Sequence, residues 1–371
     1  MRILQLLSCR GWSSDAYWAA RATRELTRRG HTVTLGCRSG TDARVIERTR
    51  AMGVERIDTF AFAGGAAPGA DAADVHRLRG WLGETDVVHV HRGKEHWLAA
   101  VANRLARRAV PLVRTRHIPQ AVRPHPANRW LYRRATALTV TVTEAIRRQY
   151  IASGLVEPER VVTLAGGADA EAYRPDAPVP GMRPRLGALD GAPLVGMVSG
   201  LRVMKGHRLV IEAAAALAAR GVRPHFAFVG QGSQEKTLRE AVERGGVSSQ
   251  FTFAGFVDEP PEVMTAFDVG LYVPVESDGM SRVVFEYLAA GRPLIASRVG
   301  VVPEILTDGE HALLVPAGDA AALAAALARL LGDPALRARL AGAGRRLVLE
   351  RYSGARLAAA LEARYAGLAR A

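Results

Sequence analysis

The chain reads as an α/β protein of two doubly wound parallel-sheet domains facing a cleft. Three observations predict this. Short apolar runs rich in Val, Ile and Leu alternate with amphipathic helical segments from the first residue onward, as strands buried on both faces of a parallel sheet require. A proline-rich break interrupts that rhythm near the middle, and the rhythm then restarts. The 371 residues also exceed what one hydrophobic core usually organises.

The first half gives the strand "RILQLL", a helix over about 15 to 29, the strand "HTVTLGC" and a helix near 41 to 52. A short strand at 56 to 61, a helix near 72 to 83, "DVVHVH" and a helix near 95 to 108 follow. "PLVRTR", a helix near 127 to 134, "ALTVTV", a helix from Glu144 and "RVVTL" complete the first unit. Residues 173 to 193, "YRPDAPVPGMRPRLGALDGAP", hold five prolines with glycines between them and suit an interdomain linker. Beyond it come "LVGMVSG", "HFAFVG", "FTFAGF", "DVGLYV", "PLIAS" and "ALLVP", and three helical segments close the chain, the last near 354 to 369. The expected division is 1–180, 181–352 and a terminal helix 353–371 that packs back toward the N-terminal domain. Ligands of open α/β sheets sit beyond the carboxyl ends of strands, so the site belongs in the loops that follow them.

Composition narrows the partners. The formal net charge is +14, and it is uneven. Residues 1–185 hold 30 Lys plus Arg against 17 Asp plus Glu, whereas residues 186–371 hold 20 against 19. Nine arginines lie between Arg104 and Arg134, and "NRWLYRRA" mixes Trp130, Leu131 and Tyr132 with them. Such a face attracts anionic lipid or a phosphorylated substrate, and the plainer reading is a solvated surface. No nucleic-acid-binding motif accompanies the charge, so nucleic acid is not an expected partner.

Two cysteines, Cys9 and Cys37, build no disulfide framework and lack the spacing of a zinc site, which points to a cytoplasmic setting. The N-terminal apolar run is too short for a signal peptide, and no window approaches the roughly 18 apolar residues of a membrane span. G-x-G-x-x-G and Walker A loops are absent. The nearest match, "VGQGS", supplies only Gly230-x-Gly232.

Two stretches carry chemistry. In "SGLRVMKGH" a strand ends in a loop with Arg202 and Lys205, and a helix then begins. Two cations beside helix N-terminal amides can clamp a diphosphate, although exposed loop cations are the plain alternative. In "PVESDGMSRVVFEYLAAG" a second strand ends, and Gly279, Met280 and Ser281 bring successive amides to a second helix N-terminus. Glu286 follows one turn later, where a carboxylate can accept hydrogen bonds from vicinal hydroxyls. Asp278 taken alone reads as a helix cap. Glu276 reads as a solvated loop residue.

The spacing Asp278-x7-Glu286, followed by "LAAGRPLIASRVGVVPEILTDGEHALLVPAGD", resembles the E-x7-E signature of retaining glycosyltransferases, family 4-like, with two Rossmann-like domains (the GT-B fold). The resemblance covers nearly the whole chain, since "ELTRRGHTVTL", "DVVHVH", "VRTRH", "LAGGADAEAYRP", "GLRVMKGH", "FVGQGS" and "FTFAGFVDEPPEVMTAFDVGLYVP" occur in the family's order. It implies that Glu286 holds the nucleotide ribose and that Gly279, Met280 and Ser281 meet the donor phosphates with Lys205. It places Asp278 and His117, the latter in "TRH", at the donor sugar, and Gly11 in the region of the family's glycine-rich loop.

It further implies a nucleoside-diphosphate sugar donor, an envelope glycan or lipid-linked glycolipid acceptor, no metal and no other cofactor. Peripheral contact with the inner face of an anionic membrane accompanies that acceptor class. The chain departs from the pattern where Asp278 replaces the usual Glu, where Gly200 stands in place of the usual arginine with Arg202 two residues on, and at Gly166 and Gly300-Val301. The Asp278 and Arg202 departures keep open a non-catalytic nucleotide-sugar-binding protein of the same fold. A sugar-nucleotide epimerase is the other alternative.

Overall fold

The computed structural model describes residues 1–176, 181–188, 191–257, 260–276 and 281–370. The chain divides into two units, one of Met1–Gly166 with Gly354–Ala371, the other Gly167–Ser353.

The first unit holds strands β1 (Arg2–Leu7), β2 (Thr32–Arg38), β3 (Ile57–Phe60), β4 (Val87–Val90), β5 (Leu112–Arg116), β6 (Leu138–Thr141) and β7 (Val161–Thr163). All neighbours pair in parallel in the order β3-β2-β1-β4-β5-β6-β7. The winding direction reverses between β1 and β4, so the loops after those two strands diverge and leave a crevice at their carboxyl ends. Helix Ser14–Arg28 covers β1 and β2 with Trp18, Ala19, Ala20, Ala22 and Leu26 buried, the alanines letting it lie close to the sheet.

The last helix, Gly354–Arg370, belongs to this unit and packs on Ser14–Arg28. A Cβ at Gly354 would stand 2.9 Å from Glu25 Cγ, so the missing side chain sets how closely the helices approach. Glu362 accepts from Arg29 and lies 3.0 Å from His31 Nε2. The helix expected near 95 to 108 runs Gly93–Arg104, and two further helices differ from the sequence reading for local reasons. Pro68–Leu82 begins ahead of residue 72, because Pro68 sits in the first turn, where its missing N–H costs nothing. The segment expected at 127–134 is Pro126–Trp130 followed by one π-type turn, Leu131–Ala135, which the Thr136 hydroxyl closes by donating to the Leu131 carbonyl at 2.7 Å.

The second unit holds β8 (Leu194–Val198), β9 (His225–Val229), β10 (Phe251–Gly255), β11 (Val269–Tyr272), β12 (Leu294–Ser297) and β13 (Leu313–Val315), parallel in the order β10-β9-β8-β11-β12-β13. Its switch point lies between β8 and β11. A Cβ at Gly196 would meet the Phe267 ring at 2.2 Å, and one at Gly270 the Tyr287 ring at 2.5 Å, so glycines inside two central strands let aromatic rings pack directly on the sheet.

The division between units falls at Gly166–Gly167, ahead of the proline-rich stretch. Much of that stretch is built into the second unit. Arg345 and Arg292 donate to the carbonyls of Tyr173 and Pro175, and a short helix, Met182–Arg185, buries Met182 while Arg183 bonds the Ala192 and Ala266 carbonyls and Asp268.

Candidate active site

In the second unit the loop after β8 carries the two cations. Arg202 is exposed and Lys205 half-buried, on a turn (Val203–Lys205) that leads through Gly206 into helix His207–Ala218. Gly206 has φ +80°, and a Cβ there would stand 1.9 Å from the Val273 carbonyl oxygen. Only glycine accommodates both demands. Beside it the Val275 amide donates to the Met204 carbonyl at 2.9 Å. The Arg202–Lys205 loop therefore rests on the residues that lead out of β11.

From the other side the Leu201 amide donates to the Gln231 carbonyl at 3.1 Å, and a Cβ at Gly232 would stand 2.3 Å from the Leu201 carbonyl oxygen. The glycines of "VGQGS" thus serve close backbone packing under the Arg202 loop. His207, buried, ties the helix start to the strand end, its Nε2 lying 3.1 Å from Ser199 Oγ.

Asp278, Gly279 and Met280 lie outside the described residues. Ser281 is buried and extended, and helix Arg282–Ala289 follows it. Glu286 is 2% exposed. Its Oε1 lies 2.6 Å from Arg282 Nε one turn earlier, yet among the described residues no donor is aligned to hydrogen-bond that oxygen. A buried carboxylate oxygen without hydrogen bonds is costly, and vicinal hydroxyls would supply them. The next residue, Tyr287, fixes the helix: its hydroxyl accepts from the Val198 amide at 2.9 Å and donates to the Gly196 carbonyl at 3.1 Å.

In the first unit, strand periodicity assembles a polar ladder. Side chains two apart share a face, so His89 and His91 line β4 and its exit, and Thr115 and His117 line β5 and its exit. Gln5 is opposite His89 in the β1–β4 register. His89 lies 2.5 Å from the Tyr365 hydroxyl through Nδ1 and 2.6 Å from Thr115 Oγ1 through Nε2. His91 Nε2 is 2.9 Å from Gln5 Oε1, and its Nδ1 is 3.1 Å from His117 Nε2. Trp18 packs against all three imidazoles, with ring centroids 5.3 to 5.7 Å apart. Burial, reinforced by neighbouring positive charge at Arg114, holds His89 and His117 down to about 3 and His91 well below the usual histidine range.

Asp15, in the first turn of Ser14–Arg28, pairs with Arg92, the residue after His91, at 2.5 Å. Burial alone would raise the Asp15 carboxyl, but Arg92, His117 and the Ser13 hydroxyl outweigh it and hold it at about 2. Glu95, fully buried, accepts from the amides of Arg92 and Ser8, binding the β4 exit to the β1 exit. Gly11 lies in that β1 loop, where an added Cβ would touch nothing in the chain. Glycine is therefore not demanded there by the fold.

The expected residues thus fall in two places. Arg202, Lys205, Ser281 and Glu286 flank the switch point of the second unit, and His117 and Gly11 flank that of the first. The sequence reading passed over Gln5, His91, Asp15, Arg92 and Tyr287. The period-two pairs in "HVH" and "TRH" were the available signal for the histidine ladder, whereas a contact such as Asp15 to Arg92 leaves no local pattern.

Comparison with known proteins agrees on both halves. The model of the Glycosyltransferase Family 4 matches residues 17–172, and that of the glycosyl transferases group 1 matches residues 192–333. A 2-deoxystreptamine glucosyltransferase of Streptomyces kanamyceticus is 31% identical over 271 residues, 67% of this chain and 69% of the relative. The putative glycosyltransferase EpsD of Bacillus subtilis is 30% identical over 284 residues, 74% of each. Among solved structures, a glycosyltransferase from Rickettsia africae superposes with a TM-score of 0.85 at 16% identity, covering 99% of this chain and 98% of the other. Anabaena HepE superposes with a TM-score of 0.82 at 20% identity, covering 99% and 100%. With the two parallel sheets and their switch points in place, the chain belongs to the group 1, family 4 glycosyltransferases and has their two-domain GT-B fold.

Proposed function

We propose that the chain moves a sugar from a nucleoside-diphosphate sugar to a glycan or lipid-linked acceptor with retention of anomeric configuration. The observation that carries this is Glu286: a carboxylate 2% exposed, one turn into a helix at a sheet switch point, whose Oε1 pairs with Arg282 Nε at 2.6 Å but has no aligned hydrogen-bond donor among the described residues. It suits the vicinal hydroxyls of a nucleotide ribose. Arg202 and Lys205, on the loop resting against the β11 exit, suit the diphosphate, and the Gly279–Ser281 amides complete that reading.

Leaving-group departure concentrates negative charge on the β-phosphate. Fixed cations and amides stabilise such a charge most in the transition state, and Arg202, Lys205 and the loop amides are assigned this role. Asp278 and His117 are assigned to the donor sugar. The nucleotide reading is in keeping with the relatives, since Anabaena HepE was solved in complex with UDP and with UDP-glucose. The S. kanamyceticus relative is a glucosyltransferase acting on 2-deoxystreptamine.

The acceptor reading rests on the first unit. Within 104–134, Arg114, Leu131 and Tyr132 are buried, which leaves the exposed arginines of that segment with Leu105 and Ile118, each about half exposed, as the cationic and apolar groups suited to an anionic membrane surface carrying a lipid-linked acceptor. Among the described residues no helix is long and apolar enough to cross a membrane.

Thermal-shift titration with UDP, GDP and ADP, then with the matching sugar nucleotides, tests the donor reading. One nucleotide should raise Tm, and Lys205→Ala should diminish the rise. No shift with any of the three would sink it. Sedimentation with anionic liposomes at low salt tests the membrane reading, and a protein left wholly in the supernatant would reject it.

A further inference from the structure

The histidine ladder of the first unit ends in a nitrogen that the fold leaves unanswered. His117 Nδ1 is screened from water, and among the described residues it has no hydrogen-bond partner. His117 Nε2 is occupied by His91 Nδ1 at 3.1 Å, and His91 Nε2 by Gln5 Oε1 at 2.9 Å. We propose that Gln5 and His91 are positioning residues that hold His117 with its proton on Nε2, so that Nδ1 offers a bare lone pair to a substrate hydroxyl.

The proton order follows from the far end. Gln5 turns Oε1, which can only accept, toward His91 and leaves its Nε2 without a partner among the described residues, so His91 donates from Nε2. A neutral His91 then has no proton on Nδ1, and that nitrogen accepts from His117 Nε2–H. A neutral His117 is left with Nδ1 bare. An added proton anywhere in this chain would set two N–H groups against each other or charge a buried ring. The groups facing His117 are Asp15, which favours the charged imidazole, and Arg92, Arg114 and Arg116, which oppose it together with burial.

The rings cannot readily turn to another arrangement. His91 stacks on His89 with centroids 4.7 Å apart, His89 is bonded at both nitrogens, and Trp18 packs against all three rings.

A buried acceptor left without a donor is costly. Such a group is best explained by a partner that arrives with the ligand. The required partner is an O–H donor, the chemistry of a sugar or acceptor hydroxyl, whereas an ether or carbonyl oxygen would oppose lone pair to lone pair. This deepens the reading of His117 given above and rests on it. It adds a direction to that contact: the protein accepts and the substrate donates.

Long-range 1H–15N spectra of the full chain labelled with 15N-histidine read the tautomer directly, with His117 assigned by its loss in His117→Gln. At neutral pH His117 should be protonated on Nε2 alone. Gln5→Leu and His91→Phe should each lose that single-tautomer signature. His117 protonated on Nδ1 or on both nitrogens in the wild type would overturn the proposal, as would an unchanged tautomer in both Gln5→Leu and His91→Phe. Should His91→Phe fail to fold, Gln5→Leu decides alone. UDP, GDP and ADP thermal shifts on the same samples keep the two readings apart: a missing shift rejects the donor site without altering the tautomer result.

Discussion

The hydroxyl of Tyr287 takes the place of a strand at Val198. The ladder between β8 and β11 stops at Gly196 and Gly270, where the two strands begin to part at the switch point. Beyond it the Val198 amide donates to Tyr287 Oη at 2.9 Å, and Oη donates to the Gly196 carbonyl at 3.1 Å. One phenol thus satisfies both backbone groups that the parting strands leave behind, and it anchors the helix on which Glu286 sits.

Tyr287→Phe should keep the ring on Gly270 and lose only the hydroxyl. With two backbone groups deprived of a partner, the expected loss is about 1–3 kcal/mol, measurable by urea denaturation. Nucleotide affinity should fall as well, because the helix start is no longer fixed. A variant as stable as wild type would show that water replaces the phenol, and that the anchoring role is absent.

Much of this arrangement was legible in the sequence, and the limits are physical. Among the described residues all thirteen strands were marked in the sequence, most of them as apolar runs, because a central strand buried on both faces has little polar alternation to hide it, whereas β3 and β10 at the sheet edges are only partly buried. The loop bearing Arg202 and Lys205 and the helix bearing Glu286 drew notice because they follow those strands. The helix from Pro68 was read as starting late because proline and glycine look like breakers, although proline is favoured in a first turn. The proline-rich stretch read as linker because composition reports backbone stiffness; it does not report that Arg292 and Arg345 bond its carbonyls. Tyr287, Gln5 and Asp15 act through contacts distant in sequence, and a single chain carries no signal for those.

Glu286→Gln tests the ribose assignment with almost no change in volume. A carboxylate accepts two hydroxyl hydrogen bonds, whereas the amide presents one acceptor and a donor that clashes with a hydroxyl donor. Loss of one charge-assisted hydrogen bond, about 1.5–3 kcal/mol, corresponds to roughly tenfold to hundredfold weaker nucleotide binding by calorimetry. Unchanged affinity would remove Glu286 from the site.

Gly206→Ala addresses the loop seat. The φ of +80° costs an L-residue roughly 1–2 kcal/mol, and the 1.9 Å approach to the Val273 carbonyl oxygen forces the backbone to move as well. Stability should fall by more than the conformational term alone, and diphosphate affinity should fall with it as Arg202 and Lys205 shift. An alanine variant of wild-type stability and affinity would show that the loop reseats freely.

The buried histidines set an acid limit, and the sign can be worked through. An unfolded histidine takes up a proton near pH 6.5, while native His89 and His117 refuse it until about 3. Between those values the unfolded state binds more protons, so stability falls as pH falls, by up to about 1.4 kcal/mol per pH unit for each such group. His91 and His96, also held well below the usual range by burial, act in the same direction. Asp15, held at about 2 by Arg92, His117 and Ser13 against burial, adds a further loss from about pH 4 downward. Among the described residues four of these histidines belong to the first unit, and the second has His207, held at about 4, and the more modestly lowered His225. Acid should therefore unfold the first unit ahead of the second. Tm followed from pH 7.5 to 4 should drop steeply below about 6.5, with amide exchange accelerating first in β1, β4 and β5. A flat profile down to pH 5, or exchange led by β8 and β11, would contradict the neutral, buried state assigned to the ladder.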